Sequence, residues 1–152
     1  MALKLSTDLK NYVINQGIVQ QMCGTTGLAG TCVFKIYTGP QPADADTAPA
    51  GSNSTMLCQI INIGWGGTNG TIGATSGTAA LGSVGGYTGT AVLAGTAAWA
   101  RMETFGTNQH GSAGTFRIDG DVGTSSTCTF VINNVVIAAD QSVSLISAPI
   151  QI

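Results

Sequence analysis

Residues 116–122 read FRIDGDV and residues 127–132 read TCTFVI, the most regular alternation of apolar and polar side chains in the chain. The apolar members of the two runs are Phe116, Ile118, Cys128, Phe130 and Ile132. Alternation with a period of two places apolar side chains on one face of a strand, so both runs predict half-buried β-strands. Gly120 predicts a bulge or bend within the first strand.

The last twenty residues continue this pattern. Asn133-Asn134 predicts a hairpin turn with positive φ, and Asp140-Gln141 predicts a second polar turn. The apolar residues then change faces within the final strand, from Val143 and Leu145 to Ile146 and Ala148. Short strands at regular spacing are typical of sandwiches and barrels. We therefore expect an all-β fold, a jelly-roll-like antiparallel β-sandwich with one short N-terminal helix.

The middle of the chain adds further strands. Residues 32–37 (CVFKIY) and 55–63 predict strands, separated by a Pro/Ala loop over 38–55 that we expect to be an extended surface excursion. The Gly/Thr-rich region 64–95 gives little register, but its recurring apolar residues favour short strands joined by tight turns. The segment 97–102 supports the same interpretation.

The helix is predicted at the N-terminal end. Ser6 is suited to cap it, and apolar residues at near-helical spacing extend the prediction over residues 6–22. A chain of 152 residues fits one domain. We expect residues 1–152 to form a single β-sandwich.

Charge is scarce in this sequence. Five Lys or Arg and seven Asp or Glu leave a net charge of −2, whereas soluble domains carry about a quarter charged residues. A surface covered by Thr, Ser, Asn and Gln, or by neighbouring protein, points to an assembly. Scattered charges do not favour nucleic-acid binding, since basic side chains supply most of that affinity. No membrane partner is expected, because no long apolar span or secretory signal is apparent, and we expect synthesis in a cytoplasm.

The titratable residues favour neither catalysis nor metal binding. The only imidazole, His110, lies in a loop-like context and is a poor candidate for a catalytic triad. Asp119 and Asp121 form the tightest late pair of carboxylates, which on a strand is more typical of a turn than of a glycosidase. Asp44 and Asp46 fail the calcium-loop pattern, and no phosphate-binding glycine motif occurs. We predict no catalytic residue, no metal and no cofactor.

Four cysteines, Cys23, Cys32, Cys58 and Cys128, permit two disulfides in three connectivities. Cytoplasmic synthesis argues instead for reduced, buried thiols. The sequence leaves open whether any of the four cysteines form disulfides with one another.

Contact with partners is expected at large apolar side chains. Trp65, Tyr87 and Trp99 are suited to stacking on sugar rings, although packing in the core or at an interface is the more frequent role of such residues. The interface candidates are Leu9, Tyr12, Val13, Trp65, Tyr87 and Trp99.

Several segments resemble one protein family. Residues 35–46 read KIYTGPQPADAD and continue to Gly51 and Met56-Leu57. They are similar to a signature, IYTG-x-QP-x-x-AD, of small proteins encoded beside the head genes of tailed bacteriophages. Residues 3–11, 98–101 and 118–123 are similar to the same family, so the resemblance extends over nearly the whole chain. Residues 64–95 and the cysteines depart from it.

The resemblance implies a virion structural protein, a jelly-roll cement or decoration protein on the outer surface of the phage head. The implied partners are the major capsid protein and the chain itself, as a dimer or trimer. Two other classes remain open: a head-to-tail adaptor or tail component, and a carbohydrate-binding module.

Overall fold

The computed structural model describes residues 6–14, 17, 32–45, 47–49, 53–63, 78–79, 87–104 and 116–151. Within these residues the fold is all-β with one short N-terminal helix, as predicted. The elements are α1 (Thr7–Tyr12), β1 (Cys32–Tyr37), β2 (Met56–Ile63), β3 (Thr78–Ala79), β4 (Tyr87–Thr90), β5 (Gly95–Thr96), β6 (Trp99–Thr104), β7 (Arg117–Gly123), β8 (Phe130–Ile132), β9 (Val136–Ile137), β10 (Ser142–Ser147) and β11 (Ile150–Gln151).

Seven strands form one sheet in the order β2-β1-β6-β7-β8-β10-β4. The sheet curls until its two outer strands meet. Cys58 of β2 and Ala91, just after β4, form an antiparallel bridge, and the Val92 amide donates to the Leu57 carbonyl at 2.8 Å. The result is a barrel-like sandwich. Two small sheets, β3 with β11 and β5 with β9, accompany it.

The core fills the concave side of this sheet. Phe34 of β1 and Phe130 of β8 meet edge to face, with ring centroids 5.0 Å apart. Around them lie buried apolar side chains from every strand of the large sheet, including Ile36, Ile60, Met102, Val122, Ile132, Val143, Leu145 and Tyr87. Aliphatic and aromatic residues at alternate positions therefore supply the burial that stabilises the fold.

The predicted bulge at Gly120 is wrong. Gly120 pairs with Ala100 in an unbroken ladder between β6 and β7. A Cβ at this position would lie 2.6 Å from Cγ2 of Thr129 and 3.1 Å from the Phe130 ring. Glycine is needed here because another segment packs closely against the strand, not because the backbone bends.

The sheet is mixed rather than wholly antiparallel. β7 and β8 run parallel, with Val122 beside Phe130 and Gly123 beside Val131. Only residues 124–129 connect them, far fewer than the dozen or more of a usual crossover between parallel strands. Alternation in sequence predicted both strands, but it carries no information on their relative direction.

The prediction of a hairpin turn with positive φ at Asn133-Asn134 is also wrong. Among the described non-glycine residues only Asp140 has positive φ, at 63°, in the second predicted turn. Asn133 instead joins β8 to β10: its side-chain oxygen accepts from the Ser144 amide at 3.0 Å. β8 therefore pairs with β10, and β9 leaves to pair with β5.

The final strand keeps a register shift between Leu145 and Ser147. This irregularity returns Ala148 to the core while Ile146 stays exposed. The predicted change of face is therefore present at Ala148, which is buried, whereas the Ile146 side chain is exposed to solvent.

Of the predicted helix over residues 6–22, α1 covers Thr7–Tyr12. The Ser6 hydroxyl accepts from the Leu9 amide at 3.3 Å and caps the helix as expected. After Tyr12 the described residues Val13, Ile14 and Gly17 have π-helical backbone. Ile14 is buried in the core. Residues 15, 16 and 18–22 lie outside the described part of the chain.

Candidate interaction surface

The convex side of β1, β6 and β7 carries a charged face, formed by Lys35, Arg101, Glu103, Arg117, Asp119 and Asp121. The strand registers place Lys35 beside Arg101 and Arg101 beside Asp119. Glu103 lies beside Arg117 in the neighbouring row. Directly opposed side chains on adjacent strands interact. Opposite charges therefore meet in two of these directly opposed pairs, Arg101 with Asp119 and Glu103 with Arg117, whereas Lys35 reaches Glu103 diagonally.

The centre of the charged face is a buried ion pair. Arg101 donates from Nε to Oδ1 and from Nη2 to Oδ2 of Asp119, both at 2.7 Å. Each side chain is at most 5% exposed. The two hydrogen bonds to Asp119 raise the pKa of the Arg101 guanidinium. A bidentate arrangement of this kind fixes geometry as well as charge.

A more exposed pair borders it. Lys35 forms an ion pair with Glu103, and Nε of Arg117 lies 3.8 Å from the other oxygen of the same carboxylate. Glu103 thus sits between two cations. This group of three keeps a formal charge of +1, but the six charges of the whole charged face, three positive and three negative, sum to zero.

The loop over 38–55 is fastened to the charged face. Arg101 Nη2 also donates to the Thr47 carbonyl at 2.9 Å. The Trp99 indole N–H donates to the Ser54 hydroxyl at 3.0 Å, and that hydroxyl donates to the Thr38 carbonyl at 3.2 Å. Most of the described loop residues between 40 and 48 are exposed, as expected of a surface excursion, but the loop is also hydrogen-bonded to the sheet at Thr47 and Ser54.

Trp99 supports this attachment from beneath. Its ring stacks on Tyr37 with centroids 4.4 Å apart, and the Arg101 guanidinium lies 5.6 Å from the ring centroid. Burial, followed by the negative charge of Glu103, raises the pKa of the Tyr37 hydroxyl. At the loop's start, Gly39 has φ of 79°, and a Cβ there would collide with the Asn53 carbonyl.

The carboxylates considered for catalysis or for calcium binding accept hydrogen bonds from other residues of the chain. Asp119 holds Arg101, while Asp121 accepts from the amide and hydroxyl of Thr129. These hydrogen bonds lower the pKa of Asp121. Asp44 accepts from the amide and hydroxyl of Thr47, at 2.8 and 2.9 Å, in a local turn.

The predicted contact residues fall into three groups. Trp99 is 1% exposed and Tyr87 is 8% exposed, so both rings pack in the interior and neither offers a face for stacking on a sugar. Leu9, Tyr12 and Val13 are exposed on α1. Trp65 and His110 lie outside the described residues.

Two of the cysteines are buried. Cys32 and Cys58 lie in the core, and Cys128 is half-buried. Burial raises the pKa of the Cys58 thiol. Cys23 lies outside the described residues.

One end of the sandwich exposes an apolar surface that the sequence reasoning missed. The segments 91–96 and 136–141 lie side by side: Gly95 pairs with Ile137, Thr96 pairs with Val136, and Asp140 donates its amide to the Ala91 carbonyl at 2.9 Å. The exposed apolar residues of the two segments, which we call the apolar end, are Val92, Leu93, Ala94, Val136, Ala138 and Ala139, and Thr96 and Asp140 are exposed beside them. Val92 and Val136 are 60% and 64% exposed.

The strands around this end contain no charged residue. β2, β4, β5, β8, β9 and β10 consist of apolar, Gly, Ser, Thr, Gln and Asn residues. We call them the neutral half. Ile61 of β2 and Ile146 of β10 are also exposed there. A signal was present in the sequence, in Val92-Leu93-Ala94 and Ala138-Ala139, but only the β5 and β9 pairing brings the two together.

In the described part of the chain, no three His, Cys, Asp or Glu side chains gather as a metal site would require. None of the described helices has the length and apolar character needed to cross a bilayer.

Comparison of this chain with protein-family models, curated proteins and solved structures finds no match. The resemblance to phage head-cluster proteins therefore rests on the quoted segments alone.

Proposed function

We propose that this protein is a virion structural protein, a capsid cement or decoration protein that binds the outer surface of a phage head. The observation that carries the proposal is the separation of charge from apolar surface. The described ion pairs lie on one face, while the neutral half exposes Val92, Leu93, Val136, Ile61 and Ile146. The phage setting comes from the resemblance of residues 35–46.

The physical role follows from this separation. The described ion pairs satisfy their charges inside the protein, so the charged face has little to offer an oppositely charged partner. Large apolar side chains that stay exposed on the same part of a protein favour contact with another protein. Many copies, each making modest neutral contacts with major capsid protein subunits, would hold a shell through avidity rather than through one strong site. Such contacts would brace the subunits against the pressure of packaged DNA.

The engaged carboxylates support a structural rather than a chemical role. Asp119, Asp121 and Glu103 all bind partners within the chain. A general acid or base must reach the proton of a substrate. In the proposed role no such reach is needed, and no cofactor takes part.

Antibody labelling of purified particles tests the proposal. An antibody raised against the chain is applied to particles from the source lysate, and gold particles are counted on heads, necks and tails by electron microscopy. Label spread over heads is expected. Label confined to necks or tails would replace the cement role by an adaptor or tail role, and unlabelled particles would overturn a virion role altogether.

A further inference from the structure

We propose that the loop over 38–55 is a hinged lid, whose tip opens over the buried Arg101–Asp119 pair while the sandwich stays folded. The tip consists of the described residues 40–45 and 47–49, and the neck consists of residues 38, 39 and 53–55. The inference concerns the isolated chain and does not depend on the proposed function. Labelling of particles and opening of the lid can therefore succeed or fail separately.

The neck of the loop is closed. The Thr38 amide donates to the Thr55 carbonyl at 3.0 Å, and the Ser54 hydroxyl donates to the Thr38 carbonyl at 3.2 Å. Gly39 has a φ of 79°, and its Cα lies so near the Asn53 carbonyl that no Cβ fits between them. These contacts keep the two ends of the loop together, so the neck stays in place when the tip moves.

The tip is held together by its own turn. The Asp44 carboxylate accepts from the amide and the hydroxyl of Thr47, at 2.8 and 2.9 Å. None of the described tip residues is buried, so release of the tip exposes little apolar surface. A segment that keeps its internal hydrogen bonds and buries little surface opens at a much lower free energy than the core.

The latch is a hydrogen bond between the tip and the sheet. Nη2 of Arg101 donates to the Thr47 carbonyl at 2.9 Å. The same guanidinium forms two hydrogen bonds to Asp119, both at 2.7 Å, in which the loop takes no part. Loss of the contact with Thr47 therefore leaves Arg101 in position, and the tip can close again without rearrangement of the sheet.

The lid gives the charged face two states. When the lid is closed, the side chains of Arg101 and Asp119 are at most 5% exposed, and the N–H that points to Thr47 is satisfied within the chain. When the lid is open, the ion pair meets solvent and this N–H is free to donate to another molecule. The lid thus controls access to the centre of the charged face.

Chemical modification of arginine measures the opening. Phenylglyoxal reacts with accessible guanidinium groups, and peptide mass spectrometry separates Arg101 from Arg117, which is 28% exposed and serves as the internal reference. We expect Arg101 of the purified wild-type chain to react more slowly than Arg117, at a rate that is independent of urea below the unfolding transition. Global unfolding would make the rate rise with urea, because it exposes a large surface.

Asp44→Ala should open the lid more often. This variant removes the hydrogen bonds that orient the Thr47 carbonyl, and the net loss of one hydrogen bond corresponds to a reaction of Arg101 that is up to about tenfold faster. Asp8→Ala removes an exposed carboxylate from α1 instead. It is the matched control and should leave the rate at the wild-type value.

Three outcomes would overturn the inference. If Arg101 reacts as fast as Arg117 in the wild type, no lid covers it. If Arg101 reacts only as fast as global unfolding permits, the loop does not open by itself. An unchanged rate in Asp44→Ala would mean that the tip is not latched through Thr47. Far-UV circular dichroism checks folding, and Thr47→Val, which removes one of the two hydrogen bonds to Asp44, replaces Asp44→Ala if that variant unfolds.

Discussion

The charged face and the apolar end belong to the same sandwich, yet they treat their polar and apolar groups in opposite ways. On the charged face, Arg101 and Asp119 are buried together and Lys35 is paired with Glu103. At the apolar end, Val92 and Val136 stand more than half exposed although their backbones are held in place.

The difference indicates which region is available for contact with another protein. The side chains of the charged face form ion pairs and hydrogen bonds within the chain, with neighbouring strands and with the loop over 38–55. The apolar end has no such cover among the described residues. Changes on the charged face should therefore lower the stability of the isolated chain, whereas changes on the neutral half should leave that stability nearly unaltered.

The largest effect is expected from Asp119→Ala. It leaves the Arg101 guanidinium buried without its carboxylate, and breaking a buried pair in this way costs about 3–5 kcal/mol. Urea unfolding measures the loss. The double variant Arg101→Met with Asp119→Leu removes both charges and should be more stable than Asp119→Ala. A single variant as stable as the wild type would mean that the pair is not buried in solution.

Ser54→Ala should have the next largest effect. The Trp99 indole N–H and the Thr38 carbonyl both lose their partner, and a buried unsatisfied group costs about 1–3 kcal/mol. The free energy of unfolding reports the change, and Asn53→Ala, an exposed neighbour, serves as the control. Equal stabilities of the two variants would mean that the loop is not fastened through Ser54.

Lys35→Met should cost only about 0–1 kcal/mol, because its ion pair with Glu103 is partly exposed. Thermal unfolding at low and high salt is the measurement. The loss should shrink as salt screens the pair, while the effect of Asp119→Ala should persist. A salt-independent loss from Lys35→Met would contradict the distinction between the two pairs.

Thr129→Val should shift a titration rather than the fold. The Thr129 hydrogen bonds lower the pKa of Asp121 in the folded chain, so their stabilisation is complete above the ordinary carboxyl pKa of about 3.9. It is lost as the pH falls through the lower, folded value. The variant should raise the pKa of Asp121, as measured by NMR of its carboxyl carbon. An unchanged value would assign the lowering to other groups.

The smallest effect on stability is expected from Ile146→Ser, on the neutral half. This side chain is exposed on β10, and surface changes usually alter stability by no more than about 0.5 kcal/mol. The melting temperature should stay at the wild-type value. A large decrease would show that Ile146 is covered in solution, and the contrast between the two regions would fail there.

Sequence patterns predicted the strands better than their arrangement. Strand-forming composition located β1, and alternation located β2, β7 and the second half of the predicted strand 127–132, Phe130–Ile132. Residues 127–129 belong instead to the connection before β8. The parallel pairing of β7 with β8 has no local signature, since direction depends on how residues 124–129 fold. The prediction of a bulge at Gly120 failed for a related reason. Thr129 and Phe130 leave no room for a Cβ at this position, and these residues come near Gly120 only in the folded sheet.

The interaction surface was predictable only in part. Leu9, Tyr12 and Val13 were identified from helical spacing, and they are exposed. Trp99 was predicted as a contact residue because it is a large aromatic residue. Its indole N–H donates to Ser54 and its ring stacks on Tyr37, so it is buried within the protein. The apolar end escaped prediction because residues 91–96 and 136–141 are far apart in sequence and are brought side by side by a pair of two-residue strands.

The place of β1 between β2 and β6 has a consequence for how the chain is made. β2 follows β1 after a single loop, but β6 pairs Tyr37 with Trp99 and Cys32 with Thr104, so residues 38–98 must all be synthesised first. Until then, one edge of β1 stays open to other chains. Pairing across such a distance is slow, because the entropy of closing the loop is lost before the contacts form. Nascent chains with an unpaired β1 are the species we expect to aggregate first.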